Sequence, residues 1–508
     1  MVSNQSTNGK NMVEKQDIRS VLSTSTISST IQPDTAPVLP KKGCTATKLS
    51  TITMKVKALS RSQAATSREC SGDLRMHHRN LDPSNHPFQR AREYTRAVTS
   101  AKLDRMFAKP LLGNLGNGHT DAVTASATSR RALAPFVSGS ADGEVKLWDL
   151  TSRTQVAVLS GGHSRIVTGL VFGLDGQRFY SCSDDGLVRC WSIAGSRNEQ
   201  TGEMTHEPLE TWRTNGSFKS IDHHWFHQEF ATASDDAVNI WSPERSAPIQ
   251  RHSDLWGSVD TVHVVRYNPA ERSLLAHTSA DRGIGLHDTR TGSALKKTVL
   301  QMRSNCLEWN PMEPMNFVVG NEDHCAYTFD MRNLKAPTRI FRGHTSAIMA
   351  VSWSPTGREF VTGSYDRTIR IFPHKGGTSR DIYHAKRMQR VFTVHYTLDN
   401  KYIVSGSDDT NLRLWKATAS EQLGQRTARE QAAVEYRQAL VKRFQHMPEV
   451  AKISKARKVP RVIKKQIAQT QIQKEKSDRK QSNRIKHSKP GTYQHESHRS
   501  KTVVKEVE

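Results

Sequence analysis

No stretch of this chain approaches the 18 or more consecutive apolar residues of a membrane-spanning helix, and its N-terminus lacks the apolar core of a secretory signal. No membrane partner is expected. Cysteine is sparse: Cys44, Cys70, Cys182, Cys190, Cys306 and Cys325 form neither a CxxC nor a zinc-ligand spacing, and they read as free thiols of a reducing compartment. There is no Walker loop, no His-Glu-x-x-His and no Gly-x-Ser-x-Gly, and the 22 histidines do not fall at metal spacing. The nearest approach to a ligand set is His223, His224 and His227, but no acid or cysteine is placed to complete it, and core or loop histidines are the plainer reading. These absences speak against an enzyme, and neither a catalytic residue nor a metal nor a cofactor is expected.

Acidic residues are scarce at the two ends. Residues 1–115 carry 18 Lys/Arg against 8 Asp/Glu and residues 416–508 carry 23 against 9, while 116–415 are balanced at 33 against 32. The net charge of +25 therefore sits almost wholly on the flanks. Basic arms on a neutral body favour a polyanion as partner, most often nucleic acid, against the alternative of a solvated, self-repelling tail. Apolar residues make up only 35% of the chain, because polar extensions dilute a middle of some 300 residues that is long enough for a sizeable core. Residues 1–53 are rich in Ser and Thr and read as a disordered extension; with Arg19 as their single arginine they are a poor transit peptide.

The middle is periodic. Seven times an aspartate stands six residues ahead of an aromatic or histidine that closes a strand-like segment: Asp142 and Trp148, Asp185 and Trp191, Asp235 and Trp241, Asp281 and His287, Asp323 and Phe329, Asp366 and Phe372, Asp409 and Trp415. Successive closing residues lie 43, 50, 46, 42, 43 and 43 positions apart, the period of a WD repeat, with one four-stranded blade per unit. The fold class expected is all-β, a seven-bladed WD-repeat β-propeller over 116–415, with basic and partly helical extensions. The recurring Asp is a structural turn residue. Gly-His pairs at His119, His163 and His344 stand 28 or 29 residues before their closing residues, where such a His usually hydrogen-bonds the turn Asp; the other four units lack the pair, so less regular blades are expected there. Nothing after Trp415 supplies the outer strand of the last blade. The segment near 106–112, apolar, short and containing Pro110, is expected to close the ring there.

Outside the repeats, three strings are distinctive: Met54-Lys-Val-Lys-Ala-Leu-Ser-Arg, Arg79-Asn-Leu-Asp-Pro-Ser-Asn-His-Pro-Phe-Gln-Arg, and Lys102-Leu-Asp-Arg-Met-Phe-Ala-Lys-Pro. After the propeller come Ser420-Glu-Gln-Leu-Gly, Arg443-Phe-Gln-His-Met-Pro-Glu-Val and Asn483-Arg-Ile-Lys-His-Ser-Lys-Pro-Gly. Together they resemble the Sof family of nucleolar WD-repeat proteins over roughly residues 54–491, which leaves Met54 as a true or alternative start. The resemblance implies a nuclear, nucleolar component of the small-subunit processome. It implies a non-catalytic scaffold required for maturation of small-subunit ribosomal RNA, with precursor ribosomal RNA, a guide snoRNA particle and other processome proteins as partners. The organisation expected is a disordered 1–53, a basic N-terminal arm 54–115, the propeller 116–415, a Sof-like helical basic tail domain 416–491 and a disordered 492–508.

Within the tail, residues 421–446 read as a helix with Ala432, Ala433, Tyr436, Leu440 and Phe444 at three-to-four spacing, a stripe expected to pack on the propeller or on a partner protein. Beyond it lie the densest basic stretches. Lys452, Lys455, Arg457, Lys458, Arg461, Lys464 and Lys465, then Arg479, Lys480, Arg484 and Lys486, are the candidate RNA and particle contacts. With almost no aromatics among them they suit phosphates better than base stacking, and such clusters also read as nuclear import signals. Vertebrate relatives in the Sof family also resemble substrate receptors of a cullin-RING ubiquitin ligase, which dock an adaptor through Asp-x-Arg after a blade's closing aromatic. Asp288 and Arg290 follow His287, and Asp330 and Arg332 follow Phe329. These are either docking boxes or Asp and Arg paired locally on the surface.

Overall fold

The computed structural model describes residues 82–159, 161–197, 204–214, 216–253, 261–489, 491–493 and 497–507. The 1–53 extension, the string from Met54, the start of the string at Arg79, and Cys44 and Cys70 lie outside the described residues. Each repeat folds as one antiparallel four-stranded sheet, and seven such blades form a β-propeller. Blade 1 runs Val123–Thr128, Pro135–Ser140, Val145–Asp149 and Thr154–Leu159. The 50-residue unit of blade 2 is long because a two-stranded excursion, Ser196–Arg197 with Met204–Thr205, precedes its outer strand Glu210–Arg213.

The recurring sequence features have clear mechanical roles. All seven closing residues lie on the third strand of their blades and are buried. Each closing Trp must satisfy its indole N–H in the core, and it does so on a second-strand hydroxyl: Trp148 on Ser138 at 2.7 Å, Trp191 on Ser181 at 2.8 Å, Trp241 on Thr232 at 2.9 Å and Trp415 on Ser405 at 2.8 Å. The turn Asp caps the tight turn by accepting the N–H two residues on, as Asp185 does from Leu187 at 3.0 Å and Asp366 from Thr368 at 2.9 Å. The residue after the Asp takes positive φ in six blades: Gly143, Gly186, Arg282, His324, Arg367 and Thr410. At Gly143 a Cβ would lie 2.2 Å from the His163 carbonyl oxygen of the next blade, so this turn has no room for a side chain.

The Gly-His pairs divide. His163 Nδ1 lies 3.1 Å from Asp185 and His344 Nδ1 lies 2.9 Å from Asp366, with the other ring nitrogens at 2.7 Å from Ser181 and 2.6 Å from Thr362. His119 departs from the expected pattern: its Nε2 meets Ser138 at 2.6 Å, but Asp142 is taken by Thr120 and the His119 Nδ1 faces Glu144 at 3.5 Å. Where the pair is missing, the Asp finds a local substitute. Ser217 bonds Asp235, Lys297 pairs with Asp281, Tyr327 bonds Asp323, and Arg413 pairs with Asp409.

The ring is closed in the last blade by Leu111–Asn114, antiparallel to Leu412–Lys416 with Leu111 opposite Trp415. This strand begins later than the 106–112 expected, because Met106 ends a helix, α1 (Gln89–Met106), and 107–110 is the connection. A partly helical N-terminal arm was expected, but without a position for its helix. Tyr94, Ala97 and Val98 of α1 meet Leu440 of α2 (Ala428–Arg443), Phe444 just after it, and Val450 and Ile453 of α3 (Pro448–Lys455) in a small core of their own. The α2 stripe thus packs on the N-terminal arm, with Leu440 buried while Tyr436 stays exposed. The start of α2, later than expected, is fixed by a capping box between Thr427 and Glu430. Pro448 at the first turn of α3 explains why the two helices are separate.

The chain's end also differs from expectation. Instead of a structureless 492–508, residues Val503–Val507 form a fifth strand on blade 4, antiparallel to Ser293–Leu300 with Lys297 opposite Val507 and Leu300 opposite Val503. Val503 joins the blade core beside Leu300, and the Gln301 side chain donates to the Lys501 carbonyl at 2.7 Å. The physical reason is the outer edge of blade 4, an unpaired row of backbone groups that a short Val-rich segment can satisfy.

Candidate nucleic-acid interface and adaptor boxes

Helix α4 (Arg461–His487) carries most of the candidate RNA contacts. Its 27 residues contain neither Gly nor Pro, and at 1.5 Å per residue it is about 40 Å long. Arg484, Lys486 and His487 in its last turn complement the helix dipole. Of the candidates, Lys452 and Lys455 on α3, Lys458 in the connection, and Arg461, Lys464, Lys465, Arg479, Lys480, Arg484 and Lys486 on α4 are all exposed.

Arg457 is the exception. Its side chain is only 17% exposed, and its Nε lies 3.7 Å from Asp381, while Nη1 donates to the Ser454 and Ala456 carbonyls at 2.6 and 2.9 Å. Asp381, at the start of the outer strand of blade 6, also receives Arg105 of α1 at 3.1 Å and Arg380 at 3.3 Å. One carboxylate thus ties the N-terminal helix and the tail to the same blade. Arg457 is committed to this clamp and is no free phosphate ligand.

The two Asp-x-Arg boxes are not equivalent. Arg332 turns back on Asp330 in a bidentate pair, Nε to Oδ1 at 3.0 Å and Nη2 to Oδ2 at 2.7 Å. Arg290 reaches Asp288 only at 3.9 Å and has 79% of its side chain exposed, with Asp288 instead capping the turn by accepting the Arg290 N–H at 2.9 Å. The histidine in the closing position of the first box is wholly buried against His252, ring centroids 4.2 Å apart, and burial pulls its pKa down to about 4.

Sequence reading missed a charged ring in the central channel, where a cavity of about 310 Å³ is lined by Arg130, Asp222, Arg266, Glu308 and His395. Arg130 pairs with Asp222 at 2.9 Å and lies 4.0 Å over the Trp225 ring. Burial pushes the Glu308 carboxyl up to about 8, even with the Arg266 guanidinium acting against it. The ring has a structural use: Asp222, Glu308 and Ser352 accept the N–H of Tyr267, Trp353 and Tyr396 on the next innermost strand, at 2.8, 2.7 and 3.3 Å. Blades are stitched edge to edge by these bonds. The signal was present in the sequence, since positions 222, 266, 308, 352 and 395 recur at the repeat period. Two of the three histidines near Trp225 are likewise internal braces: the His224 ring accepts the N–H groups of Phe226 and His227 at 3.0 and 2.9 Å, and the His223 ring binds the His224 carbonyl at 2.8 Å, while the His227 side chain is exposed.

Comparison with known proteins agrees with this architecture. A WD domain, G-beta repeat model matches residues 111–149, 153–192, 335–372 and 380–416, and a Sof1-like domain model matches residues 417–503. The unmatched blades 3, 4 and 5 are among those without the Gly-His pair, and the Sof1-like match runs past residue 491 to the C-terminal strand. The chain is 43% identical to DDB1- and CUL4-associated factor 13 of Danio rerio over 456 residues, 90% of this chain and all of that one. It is 44% identical to the protein of the same name from Homo sapiens, over 89% of this chain and 99% of that one. It is also 44% identical to Protein SOF1 of Saccharomyces cerevisiae, over 76% of this chain and 82% of that one. With a propeller, a Sof1-like tail and relatives of this identity along nearly their whole length, the chain belongs to the Sof1 family of WD-repeat proteins.

Proposed function

We propose that this protein is a non-catalytic scaffold of the small-subunit processome, binding precursor ribosomal RNA and its guide snoRNA particle in the nucleolus, with the propeller meeting assembly proteins and the tail meeting RNA. One observation carries the reading: beside an electrically balanced propeller, a dense cluster of positive charge lies on an exposed helix, α4, whose preceding segment is anchored to the body through Asp381. Nine Lys/Arg against two Asp/Glu on that helix form a polyanion site whose affinity falls with salt. Crosslinking of the tagged protein to RNA in cells is expected to recover precursor small-subunit ribosomal RNA or the snoRNA. Reversing Arg479, Lys480, Arg484 and Lys486 to Glu should lower that recovery at least tenfold. Absence of RNA from the wild-type eluate would falsify the scaffold reading.

A second reading has its own support, in the relatives named for association with DDB1 and CUL4 and in the largely exposed guanidinium of Arg290, held only by a long contact to Asp288. On this reading the boxes dock a ligase adaptor. Because the fork of Arg332 is already satisfied by Asp330, Arg290→Ala is expected to weaken adaptor pulldown about tenfold and Arg332→Ala less. Adaptor capture that is unchanged in the Arg290→Ala, Arg332→Ala double variant ends this reading.

A further inference from the structure

The charges on α4 are arranged in a way that the scaffold reading does not require. Arg461, Lys465, Ile472, Lys476, Arg479 and Lys486 follow one another at steps of three, four or seven residues, so they form a single line along the helix, and all are exposed. The opposite line is where the helix touches the rest of the molecule: Ile463 is buried and Ile467 half-buried near one end, Asp478 and Ile485 are half-buried near the other, and the His498 ring lies 3.6 Å from Asp478. Between them, residues 471–477 are exposed on every side. The helix is thus a bar held at both ends, by the Arg457–Asp381 contact before it and by the fifth strand of blade 4 after it. Along the bar the basic residues fall into two groups. Residues 466–473 contain no charge and consist of Gln, Ile, Ala and Thr, separating Arg461, Lys464 and Lys465 from the cluster that begins at Lys474. From Lys465 to Lys476 on the exposed line is eleven residues, about 16 Å along the axis.

We infer that α4 recognises double-helical RNA, laying its exposed line across the minor groove so that the two basic groups grip the two backbones and the uncharged middle faces the groove floor. This rests on the scaffold reading and narrows its ligand. Three features favour a duplex over a single strand. A convex, end-tethered bar offers no groove to enclose a flexible chain. Among residues 461–487 there is no Phe, Tyr or Trp on which unpaired bases could stack. And two cationic groups flanking a neutral segment match two phosphate rails flanking a groove. The A-form minor groove is wide and shallow and displays 2′-hydroxyls, which Gln469 and its uncharged neighbours can approach, whereas the B-form minor groove of about 6 Å is too narrow for a helix.

The test uses the full-length protein with fluorescently labelled 20-base-pair RNA duplex, the equivalent single strand, and a DNA duplex of the same sequence, over a salt series. RNA duplex is expected to bind at least tenfold more tightly than either. Arg461→Glu with Lys465→Glu, and separately Arg479→Glu with Lys486→Glu, should each remove most of the duplex preference and reduce the salt slope by about one per cation. Lys474→Glu lies off the line and should have a smaller effect; circular dichroism checks that the helix persists in each variant. Single-stranded RNA bound as tightly as duplex, or a duplex preference that survives loss of either group, overturns the inference while leaving RNA binding itself intact. No RNA bound in any form overturns both the inference and the scaffold reading beneath it.

Discussion

Acidification from pH 7 to pH 5 is expected to cost the propeller most of its stability. Four buried histidines and the half-buried His395 of the central cavity are held neutral: desolvation pulls His119, His223, His287 and His395 down to about 4 and His277 to about 3. Nearby cations add to the effect, Lys146 beside His119, Arg130 near His223 and Arg266 near His395. Because these pKa values are lowered in the folded state, the unfolded chain binds the extra protons as the pH drops below about 6.5, and stability is lost progressively from there toward pH 4. At pH 5 each histidine contributes a loss of about 1–2 kcal/mol, the five together on the order of 5–10 kcal/mol; the raised Glu308 carboxyl returns about 2 kcal/mol over the same range, and the remaining loss is still a large fraction of the stability of an ordinary domain. The depressed carboxyls, Asp185 and Asp366 among them, act later, since their stabilisation is lost only below about pH 4. Urea unfolding at pH 7, 6 and 5 checks this. A midpoint that holds constant across that range would mean that the buried rings are protonated in the native state and paired with carboxylates.

Replacing Asp381 with Ala is expected to release α1, α2 and α3 from blade 6 while the blades stay folded. Its side chain is 9% exposed and faces three guanidinium groups, those of Arg105, Arg380 and Arg457, so its removal leaves mutually repelling cations in a confined place. Breaking a buried pair costs about 3–5 kcal/mol; with Arg105 one-third exposed, about 2–4 kcal/mol is the reasonable range here. Hydrogen exchange is the suitable measurement. Amides of the three helices should lose about 30- to 1,000-fold of protection, and those of blades 1 to 5 should change little. Unaltered protection in α1 would show that the hydrophobic contact of Ala97 and Val98 with Leu440 and Val450 holds the helices in place without the clamp.

The features legible in the sequence were those enforced by local stereochemistry. A turn that needs a capping carboxylate, followed by a strand that needs a large core side chain six residues later, leaves the same trace in every repeat, and it located all seven blades. The basic runs of the tail were legible from charge and composition, but not that 461–487 form one continuous helix. What escaped were pairings over long separations. Helix α1 is mostly polar, with four Arg among its 18 residues, and its short apolar line of Tyr94, Ala97 and Val98 becomes meaningful only opposite residues some 340 positions later. Val503–Val507 has too few residues to announce a strand, and its partner lies 200 positions earlier. Arg457 reads as one more cation in a basic run, and only the position of Asp381 distinguishes it.

The closing strand sets an order of events during synthesis. Leu111–Asn114 leaves the ribosome some 300 residues before Leu412–Lys416, so the first segment of the ring must wait, unpaired, until the last blade has been made. The same junction carries the helices: α1 ends just before this strand, and α2 begins eleven residues after the strand that it pairs with. Their common core can form only once the two ends of the ring have met. The basic bar that follows is therefore displayed in its fixed position only by a molecule whose propeller is complete, and an unfinished or truncated chain has no means of presenting it.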